Sequence, residues 1–372
     1  MLSSWDDYPV HQVAETIRHA GTSDRNFYDR YYFNLHGSTD ELFMIMGMGQ
    51  YPNLGTQDAF ACVRRGGKHR VVRASKVLDD RMDTSVGPFR VEIVEPLQKV
   101  RFILEPSEHE LACDLTWDGA IPAFEEPRQY IRKFGRVLFD TMRFAQTGCW
   151  SGTLEVAGET IAVTPDRWKG TRDRSWGVRP VGEVEPSGIR GEAGQMAGLW
   201  NYAPMQFDDF SILYIVNEEP DGSRPMNEAV RIWADPSREA EWLGTPEFEH
   251  TLDAGTRMIS KPSVLSFPDA PGGAFAVHVT PLVHNYIAVG TGYGVGDEFR
   301  HGMYLGDLVV EAKTWDMAEL DTWAWYGIVD HAARFEIAGG DTDGQVGFGL
   351  HEHGVFGEFP KFGLADGAAT AG

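Results

Sequence analysis

The chain has 372 residues, 42% of them hydrophobic and 24% charged, a balance that fits a soluble globular protein of one large or two ordinary domains. Its formal net charge of −22 excludes nucleic acid and anionic membrane surfaces as partners, because both require patches of Lys and Arg. No apolar run is long enough to cross a bilayer, so no transmembrane segment is expected.

From the N-terminus, Met1-Leu2-Ser3-Ser4-Trp5-Asp6-Asp7 lacks the basic-then-apolar order of a secretory signal. His11 to Ala20 predicts a short helix. Beyond it the dominant period is two. Tyr31 to His36 and Glu41 to Met48 flank a Gly37-Ser38-Thr39-Asp40 turn and read as a hairpin. Strand-like runs follow at 58–65, 69–77, 89–94, 99–104 and 110–117, the short, even rhythm of an antiparallel barrel or sandwich. In 128–144, Tyr130, Phe134, Leu138 and Met142 recur at four-residue steps, which predicts a loop with about two helical turns over a barrel mouth, weakened by Gly135. Strand patterns resume at 198–204, 210–217 and 227–233. Asp235-Pro236-Ser237-Arg238 reads as a linker, and strands return at 256–267, 274–280, 284–290, 306–315 and 323–337. The glycine-rich end, 344–372, is expected to fray at its last positions.

The expected fold class is therefore all-β: two tandem antiparallel barrels, residues 1–238 and 239–372, with few short helices. About eight strands in the second unit suffice to close a small barrel around one apolar ligand. Aromatics make up 12% of the chain, with eleven Trp, so rings either line such a cavity or fill the cores of the sheets. Cys62, Cys113 and Cys149 form an odd set without metal-like spacing, and a reducing cytoplasm is the expected location.

Gly170 to Pro180 holds the densest chemistry: Arg172, Asp173, Arg174, Trp176, Gly177 and Arg179. The arginines can hold carboxylates as bidentate pairs under a flat indole wall, or form an ion-pair knot at a domain junction. Along 31–36, Tyr32, Asn34 and His36 share one face, toward a cavity or solvent. Tyr31, Phe33 and Leu35 share the other, which reads as core. Asp330 and His331 are neighbours on a strand, so only one of them can face a cavity. A carboxyl buried among rings stays protonated and can act as a general acid. His351 and His353 share a face with Glu352 between them. Two such histidines bind a metal only if a third ligand converges, and none is indicated, so no metal and no cofactor is expected. Gly290-Thr291-Gly292-Tyr293-Gly294-Val295-Gly296 has neither dinucleotide nor phosphate-loop spacing and reads as a rim loop. No Gly-x-Ser-x-Gly elbow is present.

The Asp173-Arg174-Ser175-Trp176-Gly177 turn after a run of strands resembles the central motif of the carotenoid 1,2-hydratase (hydroxyneurosporene synthase) and AttH-like superfamily, which includes kievitone hydratase-like enzymes and Diels-Alderase-type cyclases. Further segments agree with it: Tyr31-Tyr32-Phe33, Phe207-Asp208-Asp209-Phe210 before Ile212-Leu213-Tyr214, 304–310 from Tyr304 to Val310, and 326–331 from Tyr326 to His331. The resemblance implies two lipocalin-like (calycin-type) barrels and a cofactor-independent hydratase, dehydratase, isomerase or cyclase acting on a terpenoid, polyene or polyketide-like molecule. Two departures stand out: Arg174 replaces the family's histidine and is no proton donor near neutral pH, and Asp330 stands where relatives have Glu. On this reading Asp330 or Glu352 delivers the proton and His331 or His353 handles water. Trp176, Trp200 and Tyr32 shield positive charge, and Arg174 with Asn201 fixes a polar end of the substrate. Asn34, His36 and Tyr304 line the pocket, while Asp173, Gly177 and Arg179 are structural. The alternative is a non-catalytic carrier or sensor of an apolar ligand. The oligomeric state is left open, a homodimer included.

Overall fold

The computed structural model describes residues 2–133, 135–185, 198–253, 255–294, 298–322 and 328–364. Two antiparallel sheets account for nearly all of it, with helix confined to single turns such as Ser4–Asp7 and Met317–Leu320. The first sheet has fourteen strands, with Leu308–Asp316, Lys68–Val77, Thr56–Arg65, Leu42–Tyr51, Phe27–His36, Lys169–Val178 and Arg136–Val156 side by side, followed by Leu111–Gly119, Lys99–Leu104 and Phe89–Glu95. The short Ser85–Val86 strand ends this order and lies back against Thr56–Arg65 and Lys68–Val77, so the sheet curls on itself. The second sheet has nine strands, centred on Phe210–Glu218, Gly198–Gln206, Val346–Phe356, Ile328–Gly339 and Phe275–Asn285.

Each sheet wraps its own apolar core. The first holds Phe33, Met44, Met46, Phe102, Trp117 and Trp150, and the second holds Met205, Phe210, Tyr214, Phe267, Val277 and Phe335. Side chains thus pack the barrel interiors. A third cluster joins the sheets back to back, with Tyr32, Phe43, Ile45 and Phe60 of the first against Tyr202, Ile215, Ala332 and Leu350 of the second. Strands at this seam are buried on both faces, and Leu42–Tyr51 is buried at every position. This explains why its sequence, LFMIMGMGQY, is almost continuously apolar instead of alternating.

Three expectations change. Residues 128–144 are strand, not loop with helical turns: Gln129–Lys133 pairs with the 21-residue strand Arg136–Val156 through a turn in which Gly135 takes a φ of +80°. A four-residue step is two strand periods as well as one helical turn, and the glycine marks the hairpin. Phe134 lies outside the described residues. His11 to Ala20 forms no helix. Instead Asp6 ties that segment down, accepting the Ile17 amide at 2.8 Å and meeting His11 Nε2 at 2.8 Å. The change of sheet comes between Val178 and Gly198. The Asp235 turn lies within the second sheet, where Ser237 donates its amide to Asp235 Oδ1 at 2.9 Å between Met226–Trp233 and Glu241–Trp242. Conversely, Leu308–Asp316 crosses back to edge the first sheet, fixed by the Arg73–Glu311 pair at 2.6 Å. The last positions of 344–372, where fraying is expected, and Val295-Gly296 of the rim loop lie outside the described residues. No helix among the described residues is long and apolar enough to cross a membrane, and the three cysteines are free.

Gly170 and Gly148 face each other across paired strands, which lets the Trp150 indole donate to the Asn34 carbonyl at 2.8 Å. A Cβ on Gly170 would stand 2.0 Å from that carbonyl oxygen. Gly170→Ala is therefore expected to cost about 2–4 kcal/mol of stability in urea denaturation, the range of a core clash that backbone must absorb.

Candidate functional site

Strand alternation sorts the polar residues between the seam and the barrel interiors. On Phe27–His36, Tyr32 joins the seam while Phe33 and Leu35 enter the first core, with Tyr31 packed beside them. On Ile328–Gly339 and Val346–Phe356, Asp330 and Glu352 are cross-strand partners on the seam side, and Tyr202 stands opposite Glu352 on the next strand.

At the centre of the seam, Tyr32 Oη donates to Asp330 Oδ2 at 2.6 Å, and Asn34 Nδ2 donates to the Tyr32 hydroxyl at 3.3 Å. Trp200 Nε1 donates to Glu352 Oε1. Asp330 and Glu352 are cross-strand neighbours in a dry setting, where two carboxyls side by side favour keeping a proton. Burial, then the charge of Glu352, hold the Asp330 carboxyl well above the usual range. Burial also raises Glu352, opposed by the neighbouring Asp330 and by the Trp200 indole N–H. Both carboxyls are thus held above their usual range, and the pair as a unit retains a proton. Burial and the two carboxyls keep the Tyr32 phenol protonated, so it remains a donor.

Beside this pair, Arg143 binds Glu126 through Nε and lies 4.4 Å from the centre of the Tyr202 ring and 5.4 Å from that of Trp200. Asp173, cross-strand from Tyr32, is pushed up to about 7 by burial, held back by Arg143 and reinforced by Glu126 and Glu352. Four buried atoms of this group have no partner among the described residues: Asp330 Oδ1, Tyr202 Oη, Arg143 Nη2 and Glu126 Oε1. Buried polar atoms are rarely left so. A pocket of about 40 Å³, lined by Ile131, Leu138, Phe139, Leu199, Trp200 and Phe356 among others, opens onto Trp200 from outside.

His331 and His353 point the other way, into the second barrel. Their rings stack at 5.1 Å, with His351 at 6.4 Å from His331 and His284 at 5.9 Å. Asn201 lies with them, its Oδ1 3.2 Å from His351 Nε2 and its Nδ2 2.8 Å from His250 Nε2. Burial makes these imidazoles hard to protonate, taking His331 and His250 down to about 3. No three His, Cys, Asp or Glu side chains among the described residues have the geometry to hold a metal ion.

The structure thus brings Tyr32, Asn34, Trp200, Asp173, Asp330 and Glu352 together, and separates them from His331, His353 and Asn201. His36 is buried farther along its strand, against Phe43, with its Nδ1 accepting the Ser38 amide at 3.3 Å. Arg174 pairs with Asp29 and covers Tyr31 at 4.3 Å, on the face of its strand away from Asp173. Trp176 shares that face and is exposed, as is Tyr304. Gly177 takes a φ of +129° where a Cβ would stand 2.1 Å from the Asp140 carbonyl oxygen. Arg179 stacks on Tyr28 at 4.4 Å. Tyr326 and Gly327 lie outside the described residues. Arg143, Glu126 and Tyr202 are additions that the sequence reading passed over. The signal was available for Arg143, an arginine two residues from Ala145 on an alternating strand.

A family model described as a family of unknown function (DUF8625) matches residues 2–365. No curated protein matches the chain. Among solved structures, a candidate AttH from Nitrosomonas europaea is similar with a TM-score of 0.50 at 13% identity, over 88% of this chain and 92% of that one. CghA, solved alone and with Sch210972, gives a TM-score of 0.47 at 10% identity, over 92% of this chain and 90% of that one. At 13% identity the likeness to the AttH structure is one of fold.

The buried histidines give a pH dependence. Their folded pKa values are depressed, so the stability they contribute is present above the unfolded value near 6.5 and is lost as pH falls toward about 3. Between pH 6.5 and 4.5 each such histidine is expected to cost roughly 2–3 kcal/mol. Urea midpoints for wild type should fall steeply across that window, and those for His331→Met less steeply.

Proposed function

We propose that this chain, which belongs to the DUF8625 family of unknown function, is a cofactor-independent acid–base enzyme that adds and removes protons at carbon–carbon double bonds of an apolar substrate. The observation that carries this reading is the buried, cross-strand Asp330–Glu352 pair, held by Tyr32 and Trp200 between two sheets. A carrier of apolar molecules has no use for two carboxyls in a dry seam, where each costs stability unless neutralised.

In this scheme Asp330 delivers its proton to an alkene carbon, with Tyr32 Oη holding Oδ2 so that Oδ1 faces the substrate. Positive charge develops on the adjacent carbon, beside the ring faces of Trp200 and Tyr202, worth about 0.5–2 kcal/mol each. Glu352 then takes a proton from a water that attacks this carbon, giving hydration, or from the neighbouring carbon, giving isomerisation. The reverse order is dehydration, and attack by a second double bond is cyclisation. Arg143 and Asp173 adjust the charge of the pair, and His331 and His353 take no part. The Trp200 pocket is smaller than the ~300–1,000 Å³ of an ordinary ligand site, so binding requires Trp200 and the hairpin around Gln129–Lys133 to swing aside.

The test is incubation with a panel of isoprenoid polyenes and polyketide-like alkenes in deuterated, ¹⁸O-labelled water, read by mass spectrometry. Asp330→Asn and Glu352→Gln are each expected to lose about 10²–10⁴-fold in label incorporation, while His331→Met retains it. Equal incorporation by Asp330→Asn and wild type would sink the reading. A second readout needs no substrate. The Asp330 pKa is raised on folding, so its stabilising contribution is full below about pH 4 and is lost as pH rises. Asp330→Asn should therefore gain stability relative to wild type at pH 8 and not at pH 4.

A further inference from the structure

The charged run at 170–180 is only half used by the seam. Asp173, Ser175 and Gly177 face the second sheet, while Arg172, Arg174 and Trp176 face the opposite way, toward one end of the first barrel. Arg172 is 3% exposed, and its Nε donates to Gln146 Oε1 at 2.8 Å. Gln146 is itself fixed by donating to the carbonyls of Leu97 and Ile121, from two loops closing that end. No carboxylate pairs with Arg172 among the described residues, and its Nη2 has no partner. Asp29, the carboxylate of the neighbouring strand, gives Oδ1 to Arg174 and Oδ2 to Arg81 at 3.1 Å. Tyr31, cross-strand from Arg174, makes no hydrogen bond with its hydroxyl among the described residues. A buried guanidinium ordinarily has a counter-ion, because desolvating an unpaired charge is costly.

We propose that this end of the first barrel is a second binding site, for an organic carboxylate carrying an apolar body, with Arg172 as its principal charge partner. The planar guanidinium edge suits a carboxylate, and the Tyr31 hydroxyl supplies a further donor. Phe144, whose ring centre is 5.4 Å from the Arg172 guanidinium, and the exposed indole of Trp176 give the apolar body its contact surface. Burial lowers Arg172 to about 10, which leaves it fully charged at neutral pH and receptive to an anion. The site lies across the sheet from Asp330 and Glu352 and is independent of their chemistry.

Isothermal titration of the full chain with sodium decanoate tests this, with decanol and inorganic phosphate as comparison probes. Decanoate is expected to bind at one site and decanol at least tenfold more weakly. Arg172→Met should reduce decanoate affinity at least tenfold, and Tyr31→Phe should reduce it severalfold. Asp330→Asn should leave it unchanged, which separates this site from the seam. Absence of decanoate binding, equal binding by Arg172→Met, or equal binding of decanol would overturn the proposal, and so would phosphate binding as tightly as decanoate. If Arg172→Met does not fold, Arg172→Gln, which removes the charge and keeps an amide, carries the same expectations.

Discussion

Desolvation at the seam between the two sheets is the constraint on which the rest depends. Strands such as Leu42–Tyr51 and the 349–355 part of Val346–Phe356 have no solvent face, so every polar group they carry there must find a partner inside the protein. Most do. Arg30 donates to Tyr51 at 2.6 Å, Tyr51 to Asp58 at 3.1 Å, and Asp58 accepts the Gly302 amide at 2.8 Å, a closed set that anchors the connection back to the first sheet. Around Asp330 the same accounting does not close. Two carboxyls face each other, and neighbouring donors and acceptors stay unmatched. In one interface, then, a satisfied network supports an unsatisfied one, the usual division between scaffold and site.

The electrostatics follow from placement more than from net charge. Glu126, Asp173, Asp330 and Glu352 gather around Arg143, so the region has more carboxylate than cation and responds by retaining protons. On the far face of the same sheet Arg172 has the opposite problem, a cation without a carboxylate. A single strand, Lys169–Val178, separates these two environments through nothing more than side-chain alternation.

That alternation is also why part of the site was legible in the sequence. Period two assigned Tyr31, Phe33 and Leu35 to a core and Tyr32, Asn34 and His36 to the other face. It also required Asp330 and His331 to part. What period two does not give is which faces meet. Tyr32 and Asp330 are 298 positions apart and on different sheets, so no local pattern pairs them. The resemblance gave Asp330 and His331 complementary parts in proton chemistry, while adjacency along a strand separates them. Arg174 and Trp176 were grouped with Asp173 for the same reason and fall on the opposite face. Arg143 was hidden by a four-residue spacing that suits a helix and a strand equally.

The strand Leu308–Asp316 completes the first sheet from the far end of the chain, and this bears on how the protein emerges from the ribosome. Its partner, Lys68–Val77, is synthesised more than 230 residues earlier. At about 5–20 residues per second, that edge waits roughly 10–50 s for its neighbour. Bare edges invite pairing with other nascent chains, and charge is the common defence. Lys68, Arg70, Arg73 and Lys76 supply it, four cations on a ten-residue segment of an otherwise acidic polypeptide.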